Sequence, residues 1–464
     1  MAIDKAIDSA KLDGAMTSTA DAIRAKTGDA AAIPWDEVKG FADAVAAIET
    51  KPEDVEESDV NFYDYDGTLL HSWTLAETAT RTELPPLPSH DGLICQGWNW
   101  TLDEIKALGR KCVVGANYIT DDGKTRLYIK VTDELASDVS LVFGQGADQG
   151  VTVDWGDGSE PTAYSSGNNM VRQTHQYAPG DYVITLDPAD DVGLFLGRNS
   201  SGENLLGAYN ISNRPHCAVL RKVEIGRNFT TIGIGSYTFY NCALLETITV
   251  PRTATKVGGE AFNGCASLKA YVVPRQNISE LGVSSFYGCN SMLAAALPAA
   301  ITSIPNYAFR NCQSLRGLTL PDNVASIGSF SFYNLPSLQE LTIPDAVTSI
   351  GANVLDSTQN ISKLTISSGV TAIPASFAAY CYGLTRLAFP GDIASIDANA
   401  FVNCYSVRLY DFTHCTAVPT LANANAFTNI NAACQIRVPA ALADEWKAAT
   451  NWATYADKIV GVDA

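Results

Sequence analysis

The chain has 464 residues, 46% of them apolar and 17% charged, which is a folded composition and too long for one ordinary core. Its net charge of −19 repels phosphate backbones and anionic lipid, so nucleic acid and membrane surfaces are poor partners. No apolar run reaches the length needed to cross a bilayer, which argues against an inserted helix.

The opening MAIDKAIDSAKLDGAM interleaves charges and has no hydrophobic block, so it does not read as a secretory signal and predicts folding in the cytoplasm. Residues 1–50 read as helical. One helix is stopped by Gly28. A second begins at Pro34 and carries Val38, Phe41, Val45 and Ile48 at three- and four-residue spacing. KPEDVEESD (51–59) is polar and aperiodic, a linker. Residues 60–132 place the strand-like NFYDYDG and RLYIKVT around a helix near Leu102–Leu108, which predicts a small α/β module. Residues 133–190 turn β-rich, with LVFGQG, VTVDWGDG and DYVITLD separated by turn residues as in a sandwich.

From Leu220 the sequence repeats. LETITVP (245–251), LKAYVVP, MLAAALP, LRGLTLP, LQELTIP, ISKLTIS and LTRLAFP (384–390) follow one another at spacings of 23, 24, 23, 23, 23 and 23 residues. LRKVEIG (220–226) is a longer first unit, and a further turn begins at Val407. Each unit continues with an aliphatic residue, as at Ile304, Ile327, Ile350, Ile373 and Ile396. A phenylalanine follows, at Phe239, Phe262, Phe286, Phe309, Phe332 and Phe401. A unit of this size cannot bury its apolar edge alone, so the coils stack, strands line one face and the phenylalanines fill the interior. The tail 431–464 is expected to add a strand and then an amphipathic helix whose Leu442, Trp446, Trp452 and Tyr455 close the last coil. The expected fold class is therefore multidomain and mainly β with α. Its parts are N-terminal helices (1–50), an α/β module (60–132), a sandwich (133–190), a solenoid (220–430) and a helical cap (431–464).

The pattern is clearest in SIPNYAFRNCQSLRGLTLP (303–321) and resembles the BspA-like leucine-rich repeats. It weakens at 352–383, where LDSTQN and FAAYCYG depart from AF-x-x-C, so coil geometry stays open there. VTVDWGDGSEPT with THQYAPGDYVITL resembles PKD-type immunoglobulin-like domains, which implies a spacer or a module that contacts carbohydrate or protein. ADAIRAKTGDAAAIPWDEVKGFADAV, VNFYDYDGTLLHSW, GLICQGWNWTLDEIKAL and the closing VPAALADEWKAATNWATYADKI resemble segments of phage and prophage tail proteins of Gram-positive gut bacteria. That resemblance implies a virion component that recognises a host.

The sharpest catalytic motif is NFYDYDGTLL. It matches the first motif of haloacid-dehalogenase-type phosphatases, in which Asp64 would be nucleophile and magnesium ligand and Asp66 would carry the proton. That chemistry needs a later lysine, a distal acidic pair and a doubly wound sheet. The only later echo is GDG at 156–158, so a β-turn is the preferred reading.

The eleven cysteines contain no CxxC pair, which disfavours zinc sites and disulfide frameworks. Cys242, Cys265, Cys289, Cys312, Cys381 and Cys404 share one place in their coils, with Leu335 in the same slot, and read as small buried residues. His71, His90, His175, His216 and His414 form no spaced metal pair. His175 reads as a structural bond, and Asp154 and Asp157 as turn residues in preference to a calcium site. Trp98 and Trp100 read as module core. No cofactor, metal site or enzyme activity is expected.

The residues singled out for contact are aromatic. Tyr240, Tyr287 and Tyr333 directly follow a repeat phenylalanine, and Tyr237, Tyr307 and Phe330 precede one by two positions, forming neighbouring columns. Such columns suit glycan or protein contacts, or else shield the edge of the core. The expected function is a phage tail-tip or tail-fibre receptor-binding protein, with host cell-surface glycan or protein as partner. Residues 1–132 would contact other tail subunits, and a homotrimer follows only by analogy with tail fibres. The alternatives are a purely structural tail protein and a bacterial surface adhesin with leucine-rich repeats.

Overall fold

The computed structural model describes residues 59–463, apart from 134–137, 146–149, 166–169, 190–192, 198–204, 207–216, 227–234, 252 and 273–277. The two N-terminal helices and nearly all of the acidic linker expected from the sequence lie outside the described residues.

The chain first builds a mixed four-stranded sheet from β1 (Val60–Tyr63), β2 (Leu69–Trp73), β3 (Leu93–Trp98) and β4 (Cys112–Thr120), ordered β2-β1-β4-β3. β1 runs parallel to β4, and β2 and β3 pair antiparallel with their neighbours. The intervening helices α1 (Leu75–Thr80) and α2 (Leu102–Leu108) are short, and local chemistry sets their ends. Thr74 with Glu77, and Thr101 with Glu104, form reciprocal capping boxes, and Gly109 ends α2 at φ +57°. Phe62, Trp73, Trp98, Trp100, Ile105 and Tyr118 make the core of this layer, so Trp98 and Trp100 are interior residues.

β5 (Thr125–Val131), which the sequence groups with this module, belongs elsewhere. Its buried face Leu127, Ile129 and Val131 joins the larger core, and it pairs antiparallel with Gly180–Pro188 and Leu220–Glu224. These strands, with Gly150–Asp154, Thr162–Ser165 and the two-residue strand Thr247–Ile248, form one six-stranded sheet. A second sheet of three strands (Leu194–Leu196, Asp138–Gln145, Val171–Gln176) contributes Leu141, Phe143 and Leu196 to the same core. Leu220–Glu224 also pairs parallel with Thr247–Ile248, so the first repeat strand belongs to both regions and the apolar interior runs through from one to the other.

The solenoid follows in 23-residue steps. Short strands pair parallel in strict register, such as Ala294–Ala296 with Gly317–Thr319 and Ser303–Ile304 with Ser326–Ile327. Inside, Phe239, Phe262, Phe286, Phe309 and Phe332 are fully buried and stack at centroid distances of 5.2, 5.5, 5.3 and 6.2 Å. Each turn needs two left-handed residues. One column reads Asn241, Gly264, Gly288, Asn311, Asn334, Ser357, Tyr380, Asn403 and Asn429, mostly the asparagine and glycine that tolerate φ > 0.

The coil persists through 352–383. Backbone bonds Leu355 N→Phe377 O and Ser357 N→Ala379 O continue the ladder, Leu355 takes the phenylalanine place, and Phe377 fills the interior one residue early. The cysteine slot explains why. All eleven cysteines are free thiols, and Cys265, Cys289, Cys312, Cys381 and Cys404 donate Sγ–H to a backbone carbonyl of the preceding coil at 3.0–3.2 Å. Thr358 Oγ1 donates to Phe332 O at 2.8 Å from the same slot. The slot accepts a small buried donor, threonine as well as cysteine, whereas Leu335 fills it with apolar bulk alone in the coil before Thr358.

The carboxyl end differs from the single amphipathic helix expected. Strand Gln435–Pro439 leads to a six-residue helix, Ala443–Ala448, and a 3-10 turn, Trp452–Tyr455. The last strand, Ile459–Val462, then pairs parallel with Gln435–Pro439. Asn451, at φ +66°, separates the two helical pieces. The break lets Trp446 and Trp452 both bury fully, against Phe412 and Phe427, which one straight helix of this spacing would not allow.

Candidate functional site

Four of the six aromatic residues singled out in the sequence converge, and they do so on a residue the sequence reading missed. Arg310 occupies the place after the phenylalanine that Tyr287 and Tyr333 hold in the coils on either side. Its guanidinium carbon lies 4.7 Å from the ring centre of Tyr333, 5.2 Å from Phe330, and 5.6 Å from Tyr287 and from Tyr307. Tyr307 and Phe330 stack on each other at 5.2 Å with 12° between planes. Both sit at positive φ (60° and 57°), as does Tyr237 (62°), where other coils use Glu260, Ser284, Asn353, Ser376 or Asn399. Left-handed backbone under a side chain costs about 1–2 kcal/mol. Ring stacking and a cation over an aromatic face, at about 0.5–1 kcal/mol each, offset it. The rings are half-buried, so they serve both as a wall of the coil edge and as surface.

Arg310 Nε is buried and has no hydrogen-bond partner. Two coils further on Asp356 holds the same column, and burial raises its carboxyl above its ordinary value while Ser357 and Arg310 pull the other way. The result is an oriented, half-buried cation in an aromatic frame, a combination suited to contact with a polar or aromatic partner. Tyr237 and Tyr240 stand apart. They form their own edge-to-face pair at 5.5 Å, and Tyr237 Oη donates to Glu260 Oε1 at 3.2 Å. A lone arginine in a column that otherwise reads Tyr240, Asn263, Tyr287, Tyr333, Asp356, Ala379 and Val402 was the signal that would have found Arg310.

The opposite face of the early coils is already covered. β4 of the α/β layer lies across the strands Ala270–Val272, Ala294–Ala296 and Gly317–Thr319. Trp100 Nε1 donates to Leu297 O at 3.1 Å, Val113 N to Thr319 Oγ1 at 3.0 Å, and Arg110 to Asp322 Oδ1 (2.6 Å) and Leu320 O (2.7 Å). Small residues allow this approach: Ala294 packs on Val113, and a Cβ at Gly317 would stand 2.8 Å from Val113 Cγ2. Over these coils the turn edge bearing Arg310 is therefore left for contact, not the strand face.

The phosphatase-like motif folds into a turn. Asp64 is only 2% exposed; its Oδ1 accepts from Tyr65 N at 2.8 Å, and its Oδ2 lies 2.7 Å from His90 Nε2. Asp66 Oδ1 caps Thr68 N at 2.9 Å. Both oxygens of the would-be nucleophile are engaged, and its sheet is mixed and four-stranded. Burial, reinforced by Asp64, holds the neighbouring Tyr118 phenol well above its ordinary range. The WGDG segment is likewise a turn: Asp154 Oδ1 accepts from Gly156 N, Asp157 Oδ1 from Ser159 N and Oγ, and Asp157 Oδ2 lies 2.7 Å from His175 Nε2. The His175 ring stacks on Trp155 at 4.8 Å. Among the described residues no cluster of metal-ligating side chains occurs, and no helix is long and apolar enough to cross a membrane.

Parallel strands at a 23-residue step, an internal phenylalanine stack and donor-filled slots define a leucine-rich-repeat solenoid. Residues 215–318 and 279–408 match the family described as the BspA type leucine rich repeat region, in six copies, so the repeats are of BspA type. Among solved structures the chain is similar to a leucine-rich repeat protein from Bacteroides ovatus, at 17% identity and TM-score 0.36. That match covers 47% of this chain and 56% of that one. It is also similar to the leucine rich repeat protein of T. pallidum, at 23% identity and TM-score 0.32, covering 40% of this chain and 83% of that one. A leucine rich cell surface protein from Faecalibacterium prausnitzii matches at 20% identity and TM-score 0.31, over 60% of this chain and 95% of that one. No curated protein matches the chain.

Proposed function

We propose that this leucine-rich-repeat protein is a non-catalytic recognition component of a phage tail, at the tail tip or fibre, that contacts a host surface through the turn edge of its solenoid. The single observation that carries the recognition part is the Arg310 cluster. A guanidinium framed by Tyr287, Tyr307, Phe330 and Tyr333 has the aromatic and arginine composition of an interface anchor. Tyr237 and Tyr240 extend the same edge. The partner is a host cell-surface glycan or protein.

The tail assignment rests on the resemblance of the amino-terminal and closing segments to tail proteins. In it, residues 1–132 attach to other tail subunits, in a trimer by analogy, and the two-sheet region, PKD-like in sequence, acts as spacer. The virion is then the site of action. The engaged carboxylate of Asp64 supports the absence of phosphatase chemistry.

Two measurements test this. Labelled full-length protein should bind host cells and compete with phage adsorption, and Arg310→Gln or Tyr333→Ser should weaken both by about tenfold. Immunogold microscopy should place the protein on the tail. Binding that is indifferent to Arg310 and Tyr333 removes the site, and labelling of the bacterial envelope in place of virions makes the protein an adhesin.

A further inference from the structure

A second aromatic group lies further along the same turn edge, outside the Arg310 cluster. Tyr380, Tyr382 and Tyr405 are 39%, 37% and 50% exposed, and they touch one another: Tyr382 and Tyr405 are near-parallel at 5.6 Å (18°), and Tyr380 meets Tyr382 edge-on at 6.5 Å. The Arg310 frame is a half-buried wall, whereas these rings project into solvent.

Tyr380 breaks the rule of its column. It stands at φ +59°, where five other coils place asparagine, two glycine and one serine. In the asparagine coils the side chains can form a ladder, as Asn334 Nδ2 to Asn311 Oδ1 at 3.0 Å and Asn429 Nδ2 to Asn403 Oδ1 at 2.6 Å. A bulky aromatic residue here gives up the ladder bond and accepts left-handed strain, with only one exposed edge-on ring contact in return. Local rules broken without a compensating internal contact are a mark of a functional position.

The surroundings define the ligand chemistry. In a chain of net charge −19, the turns Ser357–Asn360, Tyr380–Gly383, Asn403–Ser406 and Thr428–Ala433 contain no charged residue. Their polar side chains are neutral: the carboxamides of Gln359, Asn360, Asn403, Asn429 and Asn431, and the hydroxyls of Ser357, Thr358, Ser406 and Thr428. At the far end Lys458 Nζ reaches the Ala432 carbonyl at 3.1 Å, and Asn431 Nδ2 holds Tyr405 O at 2.6 Å. Exposed rings on successive coils, flanked by neutral amides, complement a molecule with flat C–H faces and hydroxyl rims. A protein partner would call for deep apolar pockets or paired charges, and an acidic polymer for cations.

We infer that Tyr380, Tyr382 and Tyr405 form a stacking platform for a neutral hexose-based glycan, the coil step of about 5 Å spacing the two parallel rings along the chain. The inference narrows the partner class of the recognition reading but uses a different place on the edge, and it stands whether or not the protein belongs to a tail.

The test is affinity electrophoresis of the full chain in gels containing starch, dextran, mannan or laminarin, with polygalacturonate as the acidic control. At least one neutral polymer should retard the protein. Tyr382→Ala and Tyr405→Ala should each weaken that retardation about tenfold, the loss of one anchor. Tyr380→Asn restores the residue of the neighbouring coils, so it should weaken binding while leaving the thermal midpoint equal or higher, which separates ligand contact from folding. Arg310→Gln should leave retardation unchanged, so failure of the Arg310 site and failure of this platform are read separately. Retardation by no neutral polymer, by polygalacturonate alone, or unaltered by Tyr382→Ala and Tyr405→Ala overturns the inference.

Discussion

Replacing Phe309 by alanine tests the internal stack directly. Its ring is fully buried, with Phe286 at 5.3 Å and 9° on one side and Phe332 at 6.2 Å and 19° on the other. Truncating such a side chain costs about 3–5 kcal/mol, from lost transfer energy plus the cavity left between rigid coils. The upper half of that range is expected, because the backbone bonds Phe309 N→Ser331 O and Phe286 N→Ala308 O fix the coil spacing and limit collapse. Tyr333→Ala removes a half-buried ring and one cation contact at 4.7 Å, so it should cost about 1–2 kcal/mol. Urea denaturation of the two variants gives the difference. Hydrogen exchange should show the Phe309→Ala loss concentrated in the coils on either side, since each coil is stabilised by its neighbours. Equal losses at the two positions, or a Phe309→Ala cost below about 1.5 kcal/mol, would refute the inward and outward assignment of these columns.

The donor slot predicts that Cys312→Ser, which keeps a donor to Phe286 O, stays within about 1 kcal/mol of the parent, whereas Cys312→Ala falls further because that carbonyl loses its bond. Burial pushes the Cys404 thiol up to about 12 and raises Cys265, Cys289 and Cys381 as well, so at pH 8 a thiol reagent should modify half-buried Cys95 first and these only on unfolding. Gly317→Val should push β4 off the strand face, read as faster exchange of the Val113 amide with little change in the solenoid transition. Hydrogen bonds from Ser159 and then His175 hold Asp157 well below the usual carboxylate range. Its contribution to stability is therefore complete above the unfolded carboxylate value of about 4 and is lost as pH falls below it. Asp157→Asn should flatten the acid limb of a stability profile between about pH 5 and pH 2, and an unchanged limb would remove Asp157 from the account.

The repeat period, the buried phenylalanine column and the family of the repeats were legible in the sequence, because each is a local pattern recurring at a fixed step. The slot at 358 was only half legible. A motif written as cysteine hides the fact that the position also takes another small hydrogen-bond donor, as Thr358 is. The rings of the Arg310 cluster were legible in the same sense. Tyr287, Tyr307, Phe330 and Tyr333 stood out by type and spacing, while Arg310 needed the stacking of coils to place a cation among rings contributed by three of them. What the tertiary structure alone decided is non-local. Thr125–Val131 alternates equally well for either neighbouring sheet, and the partner strands that claimed it lie far along the chain, at Gly180–Pro188 and Leu220–Glu224. Nothing in the period of the repeats says that β4 will lie on them. That contact depends on Ala294 and Gly317 removing side-chain bulk at one place on a surface, and shape complementarity between distant segments leaves no periodic trace in either one.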